Sequence, residues 1–262
     1  MRDKILIISI QNSRYVWRED PLRQFSVLGL PVHIHENYLD WLAQRLQTNQ
    51  GTHVVTINAE MTMQARKNPD LAKVINNAEL VVPDGSGIVL YLRSQGKKID
   101  RCPGIELAEQ VVQIAAQQQS RIFLIGGAPN VVDTVVDGWR QKWTDIAIAG
   151  MSHGYFDDLL EQQICEQLQS SQPDLILVGL GVPRQELWIQ KYRHLSPDAV
   201  WIGVGGSFDV WSGIKDRAPE WFSKNHLEWL YRLYQEPWRW RRMLSLPQFV
   251  WCVTKESLFN RQ

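Results

Sequence analysis

The chain has 262 residues, 44% of them hydrophobic and 21% charged, with 28 Lys+Arg balanced by 28 Asp+Glu. That length suffices for one large domain with a well-buried core, or for a domain plus a short appendage. The zero net charge excludes the broadly basic profile of a nucleic-acid-binding protein, so no nucleic-acid partner is expected.

The first apolar run, Ile5 to Ile10, is far too short to cross a membrane, and no small-residue cleavage site follows it. Residues 1–24 therefore read as an N-terminal extension. The three cysteines, Cys102, Cys165 and Cys252, are odd in number and widely separated, which suits free thiols in a reducing compartment. A cytoplasmic protein with only peripheral membrane contact is expected.

From residue 25 onward, short β-rich runs alternate with helical patterns. Predicted strands are Phe25–Leu30, His53–Ile57, Leu80–Val82, Arg121–Ile125, Ile146–Ala149, Leu175–Gly179 and Val200–Val204. Several are continuous apolar runs, as strands buried on both faces of a parallel sheet require. Helical spacing is found over Tyr38–Gln47, Ile105–Gln118, Val131–Trp143, Leu159–Ser170 and Arg184–Tyr192. The alternation predicts an α/β fold with a doubly wound, mostly parallel sheet and helices on both faces. This catalytic domain would span 25–212, with a short helical appendage over 213–262.

Ligands of such sheets sit beyond the carboxyl ends of the strands. There the sequence places Thr56-Ile57-Asn58, Pro83-Asp84-Gly85 and Gly126-Gly127. Two further turns, Gly179 to Glu186 and Gly203 to Asp209, reach the same edge. Glycine turns let backbone amides approach a phosphate, and a following helix N-terminus adds positive potential. They also serve tight βα connections for purely structural reasons, so each is ambiguous alone. The spacing matches neither the dinucleotide-binding G-x-G-x-x-G nor the P-loop. Asp84 is either a turn or capping aspartate, or a carboxylate available as a general base. Thr56, Asn58 and Asp209 are open in the same way, between substrate contacts and caps. No D-x-D occurs, and His33 and His35 have no third ligand nearby in sequence, so no metal and no other cofactor is expected.

The C-terminal stretch has its own character. Residues 215–242 hold seven Lys/Arg against four Asp/Glu, and five of the twelve tryptophans lie beyond residue 220. Leu227, Leu230 and Tyr231 follow helical spacing, and Pro237 separates the later arginines into another segment. Arginine interleaved with tryptophan suits anion binding or a lipid headgroup boundary.

Seven stretches taken together resemble the WecG/TagA/CpsF family of bacterial glycosyltransferases, over roughly residues 25–245. They are Thr56-Ile57-Asn58-Ala59-Glu60, Asp84-Gly85-x-Gly87-Ile88-Val89, Arg101-x-x-Gly104, Gly179-Leu180-Gly181-x-Pro183-x-Gln185-Glu186, Gly203-Val204-Gly205-Gly206-x-Phe208-Asp209, Arg217-Ala218-Pro219 and Glu228-Trp229-x-x-Arg232-x-x-x-Glu236-Pro237-x-Arg239. The resemblance implies a metal-independent, inverting transferase using a UDP-sugar donor and a polyprenyl-diphosphate-linked N-acetylglucosamine acceptor. Asp84 would be the base, with Thr56, Asn58 and Arg101 beside it. Gln185, Glu186 and Asp209 would meet the nucleotide sugar alongside Gly126 and Gly127. Arg232, Arg239 and Arg242 would close over the site from an appendage that leans on the membrane. Glu106 stands where many members have aspartate, and Phe249, Trp251 and Phe259 could extend the membrane-facing surface. The competing expectation is a non-catalytic nucleotide- or lipid-binding assembly partner of the same fold. A homo-oligomer burying the tryptophan-rich tail or the sheet edge fits either.

Overall fold

A computed structural model describes residues 21–219, 221–222 and 227–259, with only the backbone of Glu228, Arg232, Arg239, Leu258 and Phe259. The apolar run at 5–10 lies outside the described residues. Six parallel strands form the central sheet: β3 (Thr52–Ile57), β4 (Leu80–Pro83), β5 (Ile122–Gly126), β6 (Ile148–Ser152), β7 (Leu175–Gly179) and β8 (Val200–Gly203). Their spatial order is β4-β3-β8-β7-β5-β6.

The expected strand Phe25–Leu30 is instead the middle of a hairpin, β1 (Arg23–Val27) and β2 (Leu30–Ile34), in a separate two-stranded sheet. The reason is local. Leu28 and Gly29 take φ values of 52° and 82°, the left-handed pair that a tight two-residue hairpin turn demands. β2 then lies beside the sheet's edge strand: His33 Nδ1 accepts the Val81 amide at 2.9 Å. That bond occupies a donor that an edge strand would otherwise leave open. Burial lowers the His33 pKa, which keeps the ring nitrogen free to accept.

Both faces of the sheet are covered. Alternate residues of one strand point to opposite sides, so Val54 packs under α1 (Tyr38–Gln47), α5 (Gly104–Gln117) and α6 (Val131–Lys142). Its neighbour Val55 faces α2 (Ala59–Ala65), α3 (Pro69–Asn76) and α4 (Ser86–Ser94). On that same side, under β5, β7 and β8, α7 (Asp158–Ser171) and α8 (Arg184–Tyr192) enclose Phe123, Ile164, Trp188 and Trp201. Sequence patterning did not reveal α2, α3 or α4. They are short, at seven to nine residues each, so each carries only about two turns of the pattern.

The C-terminal region contains α9 (Ser207–Trp211), α10 (Glu228–Gln235), a 3-10 turn at Pro237–Arg239, α11 (Trp240–Met243) and α12 (Ser245–Phe259). α12 is part of the body: Phe249 and Val253 are buried in the cluster formed with α2 and α4. Phe249 was expected on a membrane-facing surface and is only 2% exposed. Burying such a side chain contributes about 1.5–3 kcal/mol, which outweighs leaving it at a boundary. The next two residues, Val250 and Trp251, do face outward. Among the described residues, no helix is long and apolar enough to cross a membrane.

Candidate active site

Two groups of residues meet at the carboxyl edge of the sheet. The first lies above β3 and β4. The Asp84 and Gly85 amides both donate to the Ile57 carbonyl, at 3.0 and 3.1 Å, which folds the end of β4 toward β3. Arg101 then reaches back. Its Nη2 donates to Asp84 Oδ1 at 3.2 Å, and its Nε donates to the Asp84 carbonyl oxygen. Asp84 keeps 22% of its side chain exposed and Arg101 16%, so the pair is sheltered yet reachable from solvent. The Cys102 amide donates to the Pro83 carbonyl at 2.9 Å and locks the Arg101 segment to the strand end.

Thr56, at the end of β3, packs against Gly104. A Cβ there would lie 2.8 Å from the threonine methyl, which explains the glycine three residues after Arg101. Asn58 acts as the N-cap of α2, its Oδ1 accepting the Met61 amide at 2.9 Å. Its cap and its place beside Asp84 coexist, since a Cβ on Gly85 would touch the Asn58 side chain. Thr56, Asn58, Asp84 and Arg101 thus converge. Burial, with Asp84 and Glu106 adding to it, pushes the Cys102 thiol up to about 12, so it stays protonated beside them.

The second group is mostly backbone. Gly126 has φ 143°, and a Cβ on it would lie 2.4 Å from the Gly179 carbonyl oxygen. Only glycine lets the ends of β5 and β7 come so close. The Gly127 amide donates to that carbonyl at 3.3 Å, and the Gly154 amide donates to Gly127 at 2.8 Å. Arg184 closes this side, donating to the Gly154 carbonyl at 2.7 Å and stacking on Phe156.

Under these turns runs a buried chain of side chains. His53 Nε2 and Glu186 Oε2 are 2.7 Å apart, and both side chains are fully enclosed. Glu186 Oε1 accepts from Gln185 Nε2 at 2.9 Å, and Gln185 Oε1 accepts the Gly205 amide at 3.1 Å. Gln185 and Glu186, expected at the substrate, therefore support the Gly203–Gly206 turn from beneath. Glu186 is 0% exposed, which rules out direct contact from this position. The partner His53 was missed. A histidine within the apolar strand His53–Ile57 was the available signal, because a buried imidazole needs a polar partner. Its Nδ1 meets no partner among the described residues.

Asp209 was placed at a strand end and lies instead in α9, where its Oδ2 is 2.7 Å from Lys215 Nζ. Lys215 also reaches Glu236 at 2.9 Å, tying the C-terminal region to the sheet edge. Burial lowers the Lys215 pKa, but the hydrogen bonds and charges of Asp209 and Glu236 outweigh it, and the net shift is upward. Arg217 pairs with Glu106 of α5. Arg242 Nη1 stands 3.7 Å from Glu60 Oε1, in the first turn of α2. The side chains of Arg232 and Arg239 lie outside the described residues. Among the described residues, no three His, Cys, Asp or Glu side chains group as a metal site.

A model of the glycosyl transferase WecG/TagA/CpsF family matches residues 25–262. A protein of Bacillus spizizenii is 40% identical over 226 residues, covering 86% of this chain and 84% of that protein. A protein of Bacillus subtilis is 38% identical over 223 residues, covering 84% and 86%. Both are named N-acetylglucosaminyldiphosphoundecaprenol N-acetyl-beta-D-mannosaminyltransferase. By this match over nearly the whole described chain and these identities, the chain belongs to the WecG/TagA/CpsF family of glycosyltransferases.

Proposed function

We propose that the protein transfers N-acetylmannosamine, or a close relative, from a UDP-sugar to a polyprenyl-diphosphate-linked N-acetylglucosamine, with inversion and without a metal, in cell-surface polysaccharide synthesis. The relatives' names support the transferred sugar and the diphosphate-linked acceptor. The observation that carries the mechanism is the sheltered Asp84–Arg101 pair, set at the strand ends opposite the glycine turns.

Asp84 takes the proton of the acceptor hydroxyl as that oxygen attacks the anomeric carbon. The bond to the UDP oxygen breaks, and the products are the glycosylated acceptor, UDP and a protonated Asp84. Arg101 orients the carboxylate by holding one of its oxygens, leaving the other to receive the proton. The negative charge growing on the diphosphate is met by turn amides near Gly126 and Gly127 and by the arginines of residues 232–242. Fixed donors aimed at developing charge contribute about 3 kcal/mol each. Exposed Trp221, Trp238, Trp240 and Trp251 form the surface through which residues 213–262 rest on the inner face of the membrane.

The test is a screen of UDP-sugars against a soluble diphosphate-linked N-acetylglucosamine, for wild type and Asp84→Ala, with and without a chelator. Wild type should turn over equally with the chelator present, and Asp84→Ala should lose about 10²–10⁴-fold in kcat. Equal rates for the two proteins would refute the base. No turnover with any donor would favour a non-catalytic binding role.

A further inference from the structure

The short segment Lys215-Asp216-Arg217 touches three parts of the molecule at once. Lys215 is fixed to α9 through both its backbone and its side chain. Its amide donates to the Asp209 carbonyl at 2.9 Å, and its Nζ lies 2.7 Å from Asp209 Oδ2. The same Nζ donates to Glu236 Oε1 at 2.9 Å, and Gln235 Nε2 donates to the Asp216 carbonyl at 3.2 Å. Arg217 Nη2 pairs with Glu106 Oε1, in the first turn of α5.

The segment is therefore a strap across the ligand edge. At one end it is held by α9, which follows the Gly203–Gly206 turn. At the other it is held by α5, which begins at Gly104, just after Arg101. Between these anchors it grips Gln235 and Glu236, which lead directly into the Pro237–Arg239 turn and α11. The anchors differ in shelter. Arg217 and Glu106 are each 46% exposed, so solvent and salt screen their attraction. At the α9 end Lys215 is 35% exposed, Asp209 24% and Glu236 13%, and one ammonium serves both carboxylates. Two carboxylates bound to a single nitrogen lie close enough to repel each other once it is removed.

We infer that Lys215 is a positioning residue of the transfer step: by bridging Asp209 and Glu236 it fixes the arginine-bearing segment 237–242 against the ligand edge. This rests on the transferase reading above, in which those arginines meet the charge growing on the leaving diphosphate. Donors aimed at developing charge act by being in place beforehand, so a displaced segment loses rate more than ground-state affinity.

The test compares the full chain of wild type with Lys215→Met, Lys215→Arg and Glu236→Gln. For Lys215→Met, kcat should fall at least about tenfold while both KM values stay within about threefold. Lys215→Arg keeps the bridging charge and should recover most of that rate. Glu236→Gln should slow the reaction too, and joined to Lys215→Met it should add little, because both remove one bridge. An unchanged kcat in Lys215→Met would overturn the inference. A loss carried mainly by the donor KM would also overturn it, by making Lys215 a donor contact. Hydrogen exchange without substrates separates the bridge from the transferase reading. Amides of residues 228–243 should exchange faster in Lys215→Met, with those of β3, β7 and β8 unchanged. That result in a protein whose wild type transfers nothing would fail the transferase reading and leave the bridge standing. Equal exchange in the two proteins refutes the bridge.

Discussion

The two halves of the ligand edge are built from different materials. Above β3 and β4 polar side chains gather: Asp84 and Arg101, with Thr56 and Asn58 beside them. Above β5, β7 and β8 the edge is made of glycine turns, with the side chains of Gln185 and Glu186 held in a buried support beneath them. The contrast matches the chemistry proposed for each half. Moving a proton needs a titratable group with some access to solvent. Cradling a diphosphate needs fixed dipoles, and these cost little reorganisation when charge develops on them.

That contrast can be broken first at the buried support. Glu186→Ala leaves His53 and the Gln185 amide enclosed without their common partner, and removing one member of such a pair typically costs about 3–5 kcal/mol. Chemical denaturation should show that loss, together with weaker UDP binding. A cost below about 1 kcal/mol would mean that the pair does not hold the turns.

A smaller effect is expected at the backbone itself. Gly126→Ala meets both a left-handed φ and the Gly179 carbonyl, a strain of about 1–3 kcal/mol. Relieving that strain shifts the turn, and UDP affinity should fall by between about fivefold and a hundredfold, the range that 1–3 kcal/mol spans at 1.4 kcal/mol per decade. Retained affinity in a folded variant would show that this turn does not meet the diphosphate.

The smallest effect belongs to the β4 side and depends on pH. The folded-state pKa of His33 is lowered by burial from its ordinary 6.5. Its contribution to stability is therefore complete above 6.5 and is lost as pH falls through the lowered value, because the unfolded chain takes up the proton first. Acidification from about pH 7 to pH 5 should lower Tm by a few degrees more in wild type than in His33→Gln. Parallel Tm curves for the two proteins would remove His33 as the clasp between the hairpin and β4.

Much of this was legible in the sequence. Leu175–Gly179 is observed with the bounds its apolar run predicts, and the other sheet strands shift by one to three residues at one or both ends. The polar residues after β3 and β4 were legible too, because a doubly wound sheet sends them to one edge. Hairpin and helix details were less so. Phe25–Leu30 reads as one apolar run, and only the backbone conformation at Leu28 and Gly29 divides it.

Composition and strand-helix alternation by themselves determined the fold class, the ligand edge and the residues presented there, since a buried parallel strand must be apolar and its following turn polar. Only the tertiary structure decided which of those residues stay open to solvent at that edge. Gln185 and Glu186 sit in the same glycine-rich turn pattern as the exposed groups, yet they point inward because His53, 133 residues before Glu186, waits beneath them. Lys215 joins Asp209 to Glu236, and Phe249 turns into the core instead of toward a membrane, for the same reason. Partners distant in sequence set the direction of a side chain, and local pattern carries no record of them.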